Sequence, residues 1–501
     1  MQSPNSTTRR AVVIGSGFGG LAAAIRLGAR GYDVTVLERH DQPGGRARVF
    51  EDKGFVFDAG PTVITAPFLF EELWELCGKR MSDHVTLRPV TPFYRIRFND
   101  GATFEYSGDP AGMRAEIQKL APGDVEGYER FVKMSQEIFS IGFEQLAHVP
   151  FDSWMSMARI APQMMRLKSY RTVYGLVSQF VKDERLRQVL SFHPLLVGGN
   201  PFTTTSIYSL IPYLERKWGV HFPVGGTGVL VRGLVDLVVG QGGTVRYGCT
   251  VDRILVDQGR VRGVRLESGE EIAADVVVSN ADAAWTYGRL VGAQHRPTWT
   301  DRRLERARYS MSLFVWYFGT DRVYPDVAHH TIMLGPRYRE LLRDIFKRHV
   351  LAKDFSLYLH RPTATDPGMA PKGCDAFYVL SPVPHLDANV DWSRQAETYR
   401  RTIEKHLSET LLPDLSKHVV SSRMMTPVHF REELLSERGA AFSLEPVLTQ
   451  SAYFRPHNKS EDIEGLYLVG AGTHPGAGVP GVLSSARVLD TVVPDAGTFI
   501  H

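Results

Sequence analysis

Cysteine is almost absent from this chain. Cys77, Cys249 and Cys374 stand far apart with no CxxC pair. That spacing excludes a cysteine zinc site and a disulfide framework, and it fits a reducing cytoplasm. Each cysteine reads as a small packed side chain. Long apolar runs are missing too: no stretch reaches the roughly 18 residues that cross a bilayer. Met1–Arg10 is polar and lacks the apolar core of a signal peptide. Excess charge of either sign is also missing. A net charge of +3 gives no strong basic field, so nucleic acid is not an expected partner. No metal site is expected.

What is present describes a folded globular chain. Hydrophobic residues make up 43% and charged residues 23%, the balance of a folded soluble chain. At 501 residues the chain exceeds one small core and implies two or three packed units.

Ala11-Val12-Val13-Ile14 is a short β-branched run that reads as a buried parallel strand. Gly15-Ser16-Gly17-Phe18-Gly19-Gly20 follows, then the helix formers Leu21–Leu27. Gly15 permits the tight turn, Gly17 lets backbone approach a pyrophosphate, and Gly20 lets helix and strand pack closely. The helix N-terminus then turns free N–H groups and a positive dipole end toward phosphate. A second strand, Asp33–Leu37, ends at Glu38, where a carboxylate can accept both ribose hydroxyls and disfavours a 2′-phosphate. Strand, glycines, helix, strand and acid in this order indicate a dinucleotide site.

Three further segments favour FAD over NAD. Pro43-Gly44-Gly45-Arg46 follows Glu38 directly and resembles the GG-R extension of glutathione-reductase-like and amine-oxidase-like flavoproteins. There the glycines fold the chain over the diphosphate and the arginine neutralises it. Residues 244–247, 251–255 and 261–266 alternate like a three-stranded meander and feed Ala274–Ala281, a buried strand with a polar end. Leu466–Val469, the glycine-rich turn 470–478 and a helix over 482–489 form a second strand–turn–helix that can bring amides to the flavin.

Several motifs then resemble the bacterial phytoene desaturases. They are Gly15–Gly20, Pro43–Arg46, Phe57–Thr65, Gly198–Phe202, Phe222–Gly228, Glu445–Ser451 and Gly470–Gly481, spread over residues 10–490. The resemblance implies FAD-dependent, multistep desaturation of 15-cis-phytoene toward neurosporene or lycopene, with hydride passing to the flavin. It implies quinone or oxygen as electron acceptor. Other amine or carotene oxidases and isomerases share the scaffold, as does a flavin-free prenyl-binding protein. Intact Gly15–Gly20, Glu38 and Arg46 argue against the last.

Residue reading and resemblance together give the cofactor-binding candidates Gly15, Ser16, Gly17, Gly19, Gly20, Glu38, Arg39, Gly45, Arg46, Gly60, Pro61, Thr62, Val251, Gly472, Gly478 and Val479. No catalytic acid or base is assigned. Asp58 and His474 are candidates, against a turn- or helix-capping role for Asp58 and a loop hydrogen bond for His474. His193 reads as a packed histidine.

Residues 125–220 read as mostly helical, with 125–146 and 170–190 as the clearest stretches. Trp154–Lys168 mixes Trp, Met and Ile with Arg and Lys, a pattern that suits a lipid surface or an ordinary core-covering helix. A hydrocarbon moved from bilayer to apolar tunnel gains little hydrophobic free energy, which favours docking on the membrane. The expected place is therefore the cytoplasm, peripherally on the inner face of the cell membrane. Met311–Phe318 could line a tunnel or be a plain buried strand. The expected class is α/β: a Rossmann-like FAD domain, glutathione-reductase and amine-oxidase-like, from residues 1–90, 225–290 and 440–501. A mixed-sheet substrate domain from 291–440 and a helical membrane-associating unit from 91–224 complete it.

Overall fold

The computed structural model describes residues 9–498; the reading of the polar N-terminus falls mostly outside the described residues. Five short strands form a parallel sheet in the order Leu466–Leu468, Val276–Ser279, Arg10–Ile14, Asp33–Leu37, Thr244–Arg246. The Val- and Ile-rich strands are buried on both faces, as a sheet covered by helices requires. The helix Phe18–Ala29 packs between this sheet and the helices Thr227–Gly240 and Val479–Arg487. First and last segments of the chain thus meet in one layer.

The second sheet has seven strands, in the order Val419–Met425, Ser312–Thr320, Asp375–Val383, Leu357–His360, His330–Met333, Tyr94–Arg97, Thr103–Tyr106. All pairs are antiparallel except Tyr94–Arg97 against His330–Met333. Every residue of Ser312–Thr320 is buried, and its two faces do different jobs. Phe314, Trp316 and Phe318 enter a core closed by Trp392 and Tyr399, whereas Met311, Leu313 and Val315 face a cavity.

Three expectations need correction. Residues 244–246 leave the meander and become the edge of the parallel sheet, because Gly248 turns the chain away before Val251. The third meander strand is Glu271–Ala273. Residues 94–106 are not part of a helical unit. They alternate Tyr94 and Ile96 inward with Arg95 and Arg97 outward, turn at Asp100-Gly101, and extend the substrate sheet. The stretch 170–190 is broken into Val173–Val177 and Glu184–Ser191. The break is held by Asp124, whose carboxylate accepts from Lys182 and Asp183 N–H, and by Asp183 capping Leu186. The stretch from 125 does begin as a helix, Val125–Phe139, and widens into a π-helical turn over Ser140–Gln145.

Candidate active site

A cavity of about 730 Å³ runs from the glycine turns of the parallel sheet, past the second sheet, to the helix Trp154–Arg166. Of the sequence candidates, Gly15, Ser16, Gly17, Gly19, Glu38, Arg39, Gly45, Arg46, Gly60, Pro61, Thr62, Val251, Gly472, His474, Gly478 and Val479 line it. Gly20 and Asp58 do not.

The nucleotide end is built from backbone. Gly15 holds φ +90 and its N–H donates to Leu37 O at 2.8 Å, closing the turn. Gly20 packs where no side chain fits, since a Cβ there would stand 2.0 Å from Gly15 O. The helices that start at Phe18 and Val479 carry no side-chain cap on their N-termini, and both ends face the cavity. The helix starting at Thr227 contrasts with them. Asp58 reaches across from another strand, and its Oδ1 accepts from Thr227 N and Oγ1, each at 2.8 Å. Two helix ends are left open to an anion while the third is capped internally.

Glu38 is buried at the end of its strand and accepts from Ser16 N at 2.9 Å, Ser16 Oγ at 2.6 Å and His40 N at 3.0 Å. Arg46 donates through Nη2 to Ser436 Oγ at 2.8 Å, and its buried Nε has no partner. Burial lowers its pKa, Asp282 opposing. Arg39 donates to the carbonyls of Glu432 and Glu433, which ties the end of the second strand to that segment. An orphaned guanidinium N–H, two open helix ends and a buried carboxylate on the cavity wall form a donor and acceptor set that fits FAD.

The Gly60-Pro61-Thr62 turn is held from the substrate sheet by tyrosines. Tyr317 OH donates to Ala59 O, Tyr378 OH to Gly60 O, and Thr62 Oγ1 lies 2.6 Å from Tyr378 OH and 3.3 Å from Tyr358 OH. His474 is buried, its Nε2–H donating to Leu146 O at 3.0 Å and its ring against Phe151. Burial lowers its pKa to about 4, so it is neutral at pH 7. It ties the C-terminal glycine turn to the segment before the helix at the cavity's far end.

Two lining residues escaped the sequence reading. Asn280 sits at the end of its parallel strand, and a Cβ at Gly17, Gly19 or Gly470 would run into its amide. It is the spacer between the two glycine motifs, and the polar end of the strand was its one signal. Glu215 is a buried carboxylate in the otherwise apolar part of the cavity. Tyr94 OH donates to its Oε1 at 2.6 Å. His193 Nε2 stands 3.3 Å from its Oε2 but without hydrogen-bond geometry, so Oε2 has no partner. Nothing near Leu214-Glu215 in the sequence sets it apart.

Beyond the turn the walls are Leu313, Val315, Ile332, Leu357 and Leu380. At the far end Met157, Ile160, Ala161, Met164 and Met165 of Trp154–Arg166 line the cavity. Trp154, Met155 and Met165 are 65%, 76% and 62% exposed. Tyr170, Leu448 and Phe454 extend this exposed apolar rim. Among the described residues no helix is long and apolar enough to cross a membrane.

The sequence model of the family described as flavin containing amine oxidoreductase matches residues 18–488. The phytoene desaturase (lycopene-forming) of Pseudescherichia vulneris is 52% identical over 488 residues, 97% of this chain and 99% of that protein. The phytoene desaturase (neurosporene-forming) of Rhodobacter capsulatus is 49% identical over 493 residues, 97% of this chain and 94% of that protein. Among solved structures, a putrescine oxidase bound to putrescine aligns with a TM-score of 0.65 at 14% identity, covering 97% of this chain and 99% of that one. An oxidoreductase from Methanosarcina mazei aligns with a TM-score of 0.62 at 17% identity, covering 97% and 100%. At those identities the likeness shows the fold: mixed α/β of the amine-oxidase type.

Proposed function

We infer the function from one premise: the chain belongs to the phytoene desaturases, within the flavin containing amine oxidoreductase family. The protein is an FAD-dependent oxidoreductase that desaturates phytoene in successive steps toward neurosporene or lycopene. FAD, held by the glycine turns and Arg46, would supply the hydride acceptor for each CH–CH oxidation, with a quinone or oxygen as the final acceptor of the electrons. The observation that carries the reading is a single cavity joining a two-sided glycine cradle to an apolar chamber with an apolar mouth.

The chain's own residues then have distinct tasks. The amides of Gly15–Gly19 and Gly478–Val479 hold the diphosphate end, Arg46 neutralises it and Glu38 receives the ribose hydroxyls. The tyrosine-braced Gly60-Pro61-Thr62 turn shapes the wall beside the reacting carbons. Leu313, Val315, Ile332 and Leu380 keep the chain extended and exclude water, so the rate rests on positioning. As one carbon loses its hydride, its neighbour loses a proton and the bond between them becomes double; Glu215, the buried carboxylate in the chamber lining, is the base we assign to that proton.

The mouth explains how a hydrocarbon arrives. Trp154, Met155 and Met165 enter the lipid interface with Arg159 and Arg166 nearby, so the protein works on the inner face of the cell membrane from the cytoplasm. The test is to incubate the FAD-loaded protein with phytoene in liposomes, an electron acceptor present, and record the visible spectrum. Bands of a lengthened polyene are expected, and Glu215→Gln slows their growth at least tenfold with flavin retained. A blank spectrum with flavin still oxidised would return the protein to the other flavin oxidases of this scaffold.

A further inference from the structure

Behind the chamber wall, at one end of two interior strands of the second sheet, three histidines converge. His330 and His360 face each other across the antiparallel pair His330–Met333 and Leu357–His360, and His329 precedes the first strand. All three are buried, and one ring nitrogen of each lies within 4.8 Å of those of the others. The Nε2 atoms of all three have no hydrogen-bond partner. Leaving one buried polar atom unpaired is costly, and three in one buried cluster call for a partner.

The Nδ1 atoms are engaged. His329 Nδ1 lies 2.6 Å from Thr365 Oγ1, and His330 Nδ1 lies 2.7 Å from Tyr358 OH and 3.4 Å from His360 Nδ1. Such outer contacts fix the ring and its tautomer, leaving the other nitrogen to a metal. The nearest cation, Arg361, is paired through Nε to Asp375 Oδ2 at 3.0 Å. Phe222 lies against His329 and His360 and keeps bulk water away.

We propose that His329, His330 and His360 bind one divalent first-row transition ion, of the zinc class, behind the wall of the substrate chamber. A donor set of three neutral imidazoles, with no carboxylate or thiolate, suits zinc and its neighbours and not magnesium or calcium. In a tetrahedral site with bonds of about 2.05 Å the nitrogens sit roughly 3.3 Å apart, so binding draws the rings together. The ion pins two strands that supply Ile332, Leu357 and Tyr358 to the cavity, and Tyr358 alone separates His330 from it. This role is structural and independent of the desaturase reading. It also revises the expectation of no metal, which rested on cysteine spacing alone.

The FAD-loaded full chain, stripped with a chelator, is titrated with Zn²⁺ and with Co²⁺. Bound metal is read by elemental mass spectrometry and the Co²⁺ ligand-field bands. One ion per chain with a tetrahedral Co²⁺ spectrum is expected, and His329→Asn and His360→Gln each weaken uptake at least tenfold while keeping flavin. No stoichiometric uptake by the parent, or uptake unchanged in both variants, overturns the proposal. Should the variants lose flavin and fold, X-ray absorption at the zinc edge of the parent decides. Three imidazole scatterers support the site, and a shell of oxygen or sulfur overturns it.

Discussion

Asp58 lies under the cavity floor with one oxygen capping the helix at Thr227 and the other, Oδ2, without a hydrogen-bond partner. Burial lifts its pKa from 3.8 to about 6 against the opposing Thr227 bonds. A raised carboxylate pKa means that the folded state binds the proton more tightly. The stability it contributes is full below pH about 4 and is lost as pH rises through about 6. Asp58→Asn keeps a capping oxygen and removes the titration. Relative to the parent, the variant gains stability between pH 4 and 7, on the order of 3 kcal/mol for two pKa units. Urea melts of both proteins at the two pH values check this; parallel pH slopes would sink it. His474 has the opposite sign. Its depressed pKa leaves a contribution present above its ordinary value of 6.5 and lost as pH falls through about 4.

At the scale of the element, the helix Trp154–Arg166 is the least buried of the long helices, with Ile160 as its one buried residue. Ser153 caps its start and Pro162 interrupts its hydrogen bonding, so it is held by its neighbours more than by its own backbone. Trp154 rests on Tyr453, which joins the helix to the loop bearing Leu448 and Phe454. Serine at 154, 155 and 165 together removes the exposed apolar side chains and touches no flavin contact. Co-sedimentation with anionic vesicles is expected to weaken at least tenfold, or about 1.4 kcal/mol, with flavin content unchanged. Equal binding by the variant would mean that another surface docks.

At the scale of the whole molecule, the parallel sheet joins strands near residue 10 to a strand at Leu466–Leu468. Ligand binding to such a sheet stabilises the chain as a unit. Added FAD at 100 times its Kd is expected to raise stability by about 2.7 kcal/mol and to shift one calorimetric transition. Two transitions, only one of them moving, would contradict that. The same geography decides what could be read beforehand. The strand, turn and helix at 10–29 were legible because their signals are local: β-branched run, glycines, helix formers. Thr244–Arg246 was misplaced because its partner, Asp33–Leu37, lies two hundred residues away. Tyr94–Tyr106 joined a sheet whose next strand begins at His330. Glu215 and the three histidines gain meaning only from such long-range pairings, and no spacing in the chain announces them.

The strand Ser312–Thr320 and the residue before it present alternate side chains to chamber and core. Register couples those two surfaces, since a slip of one position would exchange them. It also separates what can vary from what cannot. Positions 311, 313 and 315 can drift through larger and smaller apolar residues and reset how far a polyene slides before it stops. Positions 314, 316 and 318 are locked in the core, Phe314 against Trp392 and Tyr399, Trp316 against Phe318, and Phe318 against Phe377. Diversification of product length, in a laboratory library or over generations, therefore has an odd-numbered track to follow along this strand.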